Sequence, residues 1–261
     1  MNTLIHPVEI GIDQLLICLI LVMAAGLVSI LLKLNLEKDL LLGTIRTFAQ
    51  LLLVGYILGY IFRLNHPVPV LAYYGWMIFW AARAVRSRTQ EQEVRIFTPP
   101  FISMIASYMV ITIVVTRVIV QVEPWYQPQY FLTLGGMIIG NSMTAISIAV
   151  GRLLTDIRQQ RQQIELALSL GATYQEATQN LLRDAIQAGM IPSINALMTV
   201  GLVSLPGMMT GQILAGQPPT EAIRYQIIVM LMIVASVAIG CVIVVHIIRR
   251  LCFNTAHQLQ I

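Results

Sequence analysis

Apolar blocks about as long as a bilayer is thick recur along this chain, and no other feature restricts its fold so tightly. A helix needs roughly 20 apolar residues to cross about 30 Å of hydrocarbon. Seven such blocks are read at residues 14–32, 40–62, 67–82, 97–120, 130–153, 191–215 and 223–248, each bounded by charge, proline or both. They lack the alternation of outer-membrane strands and run about twice their length. The expected fold is therefore an all-α polytopic membrane protein with about seven transmembrane helices, residues 1–261 forming a single transmembrane domain. Composition agrees: 11% of the residues are charged, against roughly 25% in soluble domains.

Lysine and arginine set the orientation. With the N-terminus outside and the C-terminus cytoplasmic, twelve basic residues (Lys33, Lys38, Arg83, Arg86, Arg88, Arg95, Arg152, Arg158, Arg161, Arg183, Arg249, Arg250) fall inside and three (Arg63, Arg117, Arg224) outside. That imbalance is the positive-inside pattern of a multi-pass plasma (inner) membrane protein. It also accounts for the net charge of +4 without nucleic acid. Residues 1–13 hold Glu9 and Asp13 but no lysine or arginine, so the first span reads as a retained helix and not as a signal peptide. Cys18, Cys241 and Cys252 are scattered and odd in number, which implies packing and no disulfide framework. His6, His66, His246 and His257 lie near span ends or tails and receive no role.

One long polar interruption, residues 154–190, forms the expected cytoplasmic elbow. Its first helix carries Ile157, Ile164 and Leu168 on one side and ends at Gly171, a residue suited to the left-handed conformation that closes helices. After Ala172 the second helix opens on a capping box, with Thr173 and Glu176 each satisfying a backbone N–H of the other. A rigid projection of this kind is a surface for docking a partner, or else a hairpin lying along lipid headgroups.

Within the spans, polar residues and glycines stand out. Asn141, Ser142, Thr144 and Ser147 fall near the middle of the fifth span, where an unsatisfied polar group is costly, so they are expected to face protein or water. In the sixth span Pro206 should free the carbonyl of Leu202 and break the helix beside Met208, Met209, Thr210 and Gln212. Asn141, Ser142, Thr144, Ser147, Pro206, Met208, Met209, Thr210 and Gln212, with Met143, form the candidate substrate pathway, and Thr144 and Thr210 are expected to face one cavity. Met143 and Met209 are the weak candidates for a metal; no firm metal site is read. Arg46, with Gln50 one turn on, is a candidate for gating. Gly55 and Gly59, Gly136 and Gly140, and Gly207 and Gly211 form G-x-x-x-G stripes expected to pack helices closely.

The stretch "IELALSLGAT" resembles the coupling loop of ABC-transporter permeases, with Glu165, Ala167 and Gly171 on the family pattern, although Leu166 replaces the middle alanine and the closing Ile-x-Leu-Pro is missing. Together with "GMIIGNSMTAIS", "IPSINALMTVGLVSLPGMMTGQILAG" and "RYQIIVM", it makes the chain similar to the FetB-like iron-export permeases of bacteria and to related plant proteins of aluminium tolerance. The resemblance implies the permease subunit of an ABC exporter of iron or another metal ion. It also implies a homodimer coupled through Glu165, Ala167, Gly171, Ala172, Thr173 and Glu176 to a cytoplasmic ABC ATPase. The chain has no G-x-x-x-x-G-K-[ST] loop, so ATP and Mg are expected on that partner, and none in this chain. The competing readings are an ABC exporter of a nucleotide sugar or lipid, and a secondary transporter or channel. The latter calls for intramembrane carboxylates or imidazoles for coupling ions, and an intramembrane enzyme needs a catalytic set at depth; neither is read here, and the chain is expected to be no enzyme.

Overall fold

The computed structural model describes residues 11–88, 97–254 and 258–259; His6, Glu9, Arg95 and His257 lie outside them. Helices α1 (Ile12–Ile17) and α2 (Leu19–Leu31) make the first span, followed by α3 (Glu37–Leu64), α4 (Pro67–Arg88) and α5 (Thr98–Val114), which runs on as a π-helical turn, Val115–Ile119. Then come α6 (Pro128–Gln159), α7 (Arg161–Ser169), α8 (Tyr174–Ala177), α9 (Gln179–Thr199), α10 (Gly207–Leu214) and α11 (Pro219–Leu251). Proline starts α5, α6 and α11, in the first turn, where its missing N–H is no loss. Among the described residues, six segments are long and apolar enough to cross a membrane.

The exception is the expected span 191–215. It is built from the second half of α9, a run of turns at residues 200–206, and α10. Here the expectation about Pro206 needs correction. The helix already ends at Thr199, with Gly201 at φ +82°, and Pro206 is the N-cap of α10. Leu202 sits in the turns, so its carbonyl is not one that the proline releases from a helix. The elbow is also redrawn: Ile157 belongs to α6, whose helix continues to Gln159, and the capped second helix is one turn, α8, before α9 begins.

The core is organised around α6, which touches α4, α5, α9 and α11. Buried Tyr74, Tyr108, Phe131, Ile146 and Val237 fill it. Hydroxyls tie the helices where lipid gives no hydrophobic drive for association. The Tyr74 and Thr112 hydroxyls are 2.8 Å apart between α4 and α5, and the Ser103 hydroxyl donates to the Gly240 carbonyl at 2.8 Å between α5 and α11. Gly189 of α9 sits where three helices meet: a Cβ there would lie 2.9 Å from the Ala145 carbonyl oxygen, the Ala149 Cβ and the Cys241 Sγ.

Within one chain the glycine stripes do not serve as expected. A Cβ at Gly55, Gly59, Gly140, Gly207 or Gly211 meets nothing within 4 Å, and only Gly136 is near a neighbour, the Met77 Cε at 3.1 Å. The close approaches fall instead at Gly189, at Gly135 beneath the Tyr74 ring, and at Gly240.

Helices α2 and α3 form an arm joined by a tight turn. The Ser29 hydroxyl donates to the Glu37 carboxylate and accepts from the Leu36 N–H, both at 3.0 Å. Among the described residues, the arm meets the bundle near the C-terminal end of α3, where Ile61 is buried and Ile57, Leu58 and Phe62 are partly so.

Candidate functional site: clefts along α6, α10 and α11, and an elbow

Because α6 runs unbroken from the Pro128 end to the elbow, it carries the polar residues of the fifth expected span on several faces at once. Asn141 and Thr144, with Gly140 and Ala145, line a cleft of about 240 Å³ closed by Pro192, Ser193 and Ala196 of α9 and by Met230, Ile233 and Val234 of α11. The Asn141 Nδ2 donates to the Met137 carbonyl of its own helix at 2.8 Å, which leaves the amide oxygen for the cleft. Thr144 accepts from Arg88 Nη1 at the end of α4, 3.4 Å away. Ser142 faces the other way. It is buried, and its hydroxyl lies 3.1 Å from that of Ser236 on α11, which in turn donates to the Ile233 carbonyl at 2.8 Å. Ser147 donates to the Met143 carbonyl, and Met143 packs partly against the core.

The residues of the sixth expected span are divided between two further clefts. Pro206 and Met209 line one of about 390 Å³, mostly apolar, with Leu197, Leu205, Met230 and Gln226. Gln226 is buried and its Oε1 has no hydrogen-bond partner. Met230 is common to this cleft and the first, so the two adjoin. Met208 and Gln212 line the other, of about 430 Å³, between the first turns of α6 and α11. Thr210 does not share a cleft with Thr144; its hydroxyl turns back on the Pro206 and Gly207 carbonyls. Met143 and Met209 are likewise kept apart. Among the described residues no three His, Cys, Asp or Glu side chains gather where they could hold a metal.

Sequence reasoning passed over Gln226, Ser236 and Ser193. Ser236 stands as a lone polar residue in the apolar run of α11, whereas Gln226 follows Arg224 and Tyr225 and Ser193 lies two residues from Asn195, so neither stands out by itself. In the sequence Arg88 reads as a cytoplasmic charge, and its reach to Thr144 depends on α4 and α6 packing side by side.

The elbow is rigid for reasons of local chemistry. Gly171 adopts φ +93°, its N–H donates to the Leu168 carbonyl at 3.0 Å, and the Ala172 N–H donates to the Ala167 carbonyl at 3.1 Å, the paired closure of a Schellman motif. The Thr173 N–H and hydroxyl both donate to the Glu176 carboxylate at 2.8 Å, and the Glu176 N–H returns to the Thr173 hydroxyl at 3.3 Å. Those donors hold the Glu176 carboxyl below the usual glutamate range. Tyr174 stacks on Phe253 with ring centroids 5.2 Å apart, and the Arg249 guanidinium lies 5.8 Å over the Tyr174 ring. The elbow is thereby clamped to the end of α11. On its outer side Arg161 pairs with Glu165 at 2.8 Å, while Leu166 and Leu170 are exposed to 61% and 80%. Arg46 and Gln50 of α3 are both exposed and lie apart from the clefts.

A family model described as Uncharacterised protein family (UPF0014) matches residues 12–253. Among curated proteins the chain is 40% identical to the UPF0014 membrane protein slr1647 of Synechocystis, covering 87% of this chain and 88% of that one. It is 36% identical to the probable iron export permease protein FetB of Escherichia coli, with 95% of each chain covered. It is 31% identical to the protein ALUMINUM SENSITIVE 3 of Arabidopsis thaliana, over 93% of this chain and 87% of that one. No solved structure matches.

Proposed function

The chain belongs to the UPF0014 family of membrane proteins, and from that premise we propose that it is the permease subunit of an ABC transporter exporting a metal ion, iron foremost. ATP and Mg belong to a separate cytoplasmic ATPase. The observation that carries this reading is the elbow: a capped, Schellman-closed projection with Leu166 and Leu170 bare beside Glu165. An apolar pair on a rigid surface outside the spans is better suited to a protein partner than to water. The cargo follows from the bacterial relative, a probable iron export permease. The excess of arginine at the elbow end supports a cytoplasmic elbow in the inner membrane.

Coupling follows from α6. Gln159 at the elbow and Thr144 in the cleft lie on one helix, about 22 Å apart at 1.5 Å per residue. Closure of the ATPase would push the elbow, and α6 and α11 would carry the displacement to the adjoining clefts. Two nucleotide sites call for two permease copies. The exposed α3 supports a second copy as its cover, because Arg46 on a lipid-facing surface costs about 2.5–3.5 kcal/mol. The apolar cleft at Gln226 favours one alternative cargo, a lipid or lipid-linked molecule.

The test is co-purification. Gly171→Val forces a β-branched residue into φ +93°, and Leu166→Asp with Leu170→Asp charges the docking face. Both should leave a folded permease that loses its P-loop ATPase in a pull-down from membranes. Retention of the ATPase with normal turnover in both variants would reduce the elbow to a headgroup-lying hairpin.

A further inference from the structure

The cleft of about 430 Å³ at the end of the bundle remote from the elbow has a lining unlike the other two. Amides of Gln129, Gln212 and Gln217, phenols of Tyr130 and Tyr225, and the carboxylate of Glu221 converge there, with no lysine, arginine or histidine among the lining residues. Glu221 forms no ion pair among the described residues. The Gln212 Oε1 is buried with no hydrogen-bond partner; a buried acceptor left unsatisfied is costly. Helix α10 ends at this cleft, its last turn closed by the Gly216 N–H on the Ile213 carbonyl and the Gln217 N–H on the Gln212 carbonyl. The negative end of its dipole therefore adds to the field of Glu221.

Carboxylate, amide carbonyl and phenol oxygens, with one formal negative charge, are a donor set for a hard cation and a poor one for a soft metal or an anion. We propose that this cleft binds a hard di- or trivalent metal cation, weakly and with part of its hydration shell retained, through the Glu221 carboxylate and the side-chain oxygen, Oε1, of Gln212. A single carboxylate among neutral oxygens favours rapid exchange over storage. Its place as the station from which cargo leaves rests on the function proposed above; the binding itself does not.

The test uses purified permease in detergent without any ATPase, so a failure of the coupling reading leaves it untouched. Terbium(III) is titrated while tyrosine is excited, because Tyr130 and Tyr225 line the cleft and sensitise a bound lanthanide. Sensitised emission should saturate, and Mn²⁺ should displace it whereas Ag⁺ should not. Glu221→Gln should weaken terbium binding by about tenfold or more, and Gln212→Leu by a smaller factor. The melting temperature of every variant serves as the folding control. Glu123→Gln, in a separate cleft with Arg117 and Trp125, should leave the titration unchanged. An unaltered titration in Glu221→Gln, equal loss in Glu123→Gln, or displacement by tetramethylammonium but not by Mn²⁺ would each overturn the site.

Discussion

The α1–α3 arm and the bundle of α4–α11 are both apolar enough to enter a membrane, yet only one of them has an interior. The first span is 6% buried and α3 not at all over its most apolar window, against 50% for α6. Hydrophobicity therefore decides insertion, while packing is decided by small and hydroxylic residues that let backbones meet and bond. The bundle places Ser103, Thr112, Ser142, Ser236 and Gly189 at its seams. The arm has glycines of its own, Gly43, Gly55 and Gly59, with nothing opposite them. The polar seam it has among the described residues, Ser29 with Glu37, closes its own turn.

Glycine replacement is the sharpest way to break that contrast. Gly189→Val thrusts a branched side chain into the Ala145 carbonyl, Ala149 and Cys241, and should cost about 3 kcal/mol or more by overpacking, read as a fall in melting temperature or loss of the folded permease. Gly55→Val and Gly59→Val should leave the monomer's melting unchanged. If the arm is covered by a second copy, the same two changes should lower the dimer fraction by light scattering in detergent. An unchanged dimer fraction would assign that surface to lipid.

A second comparison lies within one helical turn. Ser142→Ala removes a hydrogen bond at the α6–α11 seam and should cost roughly 0.6 kcal/mol, up to about 1.7, with transport retained. Asn141→Leu removes a cleft lining group whose side-chain donor is bonded only to its own helix. It should leave stability within about 0.5 kcal/mol and abolish ATP-dependent metal efflux from cells. Stability loss in Asn141→Leu equal to that in Ser142→Ala would make both residues interhelical ties.

The smallest effect concerns the elbow and acid. The Glu176 carboxyl is held below its ordinary range by the Thr173 donors, so its contribution is complete above the unfolded pKa and is lost as pH falls through the folded one. Amide exchange at Thr173 and Tyr174 should accelerate on acidification below the usual glutamate range. Glu176→Gln, which caps without titrating, should show no such step beyond the intrinsic pH dependence of exchange.

The spans and the elbow's chemistry were readable from the chain, because each depends on neighbours in sequence. Apolar length marks a span, and Gly171, Thr173 and Glu176 close and open helices within a few residues of one another. Contacts between distant helices were not readable. The G-x-x-x-G stripes looked like packing faces yet stand largely open, while Gly189, a lone glycine in "IQAGM", has three neighbours at 2.9 Å from where its Cβ would lie. Nor could the pattern show that the sixth span is in two pieces, since residues 200–206 are as apolar as a helix, and only the left-handed Gly201 and the turns around it reveal the break. Of the candidate pathway, depth was legible and facing was not: Asn141 and Ser142 are adjacent, and one lines a cleft while the other is sealed against Ser236.

Pro192 is the one proline inside α9, and it stands in the wall of the Asn141 cleft. Having no N–H, it leaves the carbonyl four residues back without its helical donor, just past the point where Gly189 wedges α9 between α6 and α11. The opposite wall, α6, is unbroken. Bending α9 at this depth therefore ruptures no backbone hydrogen bond at the proline, and side-chain contacts carry a larger share of the resistance to opening. The activation barrier for exposing the cleft should for that reason respond to substitutions at Ala145 and Ala196, which line it from α6 and α9, far more than to changes in helix propensity along α9.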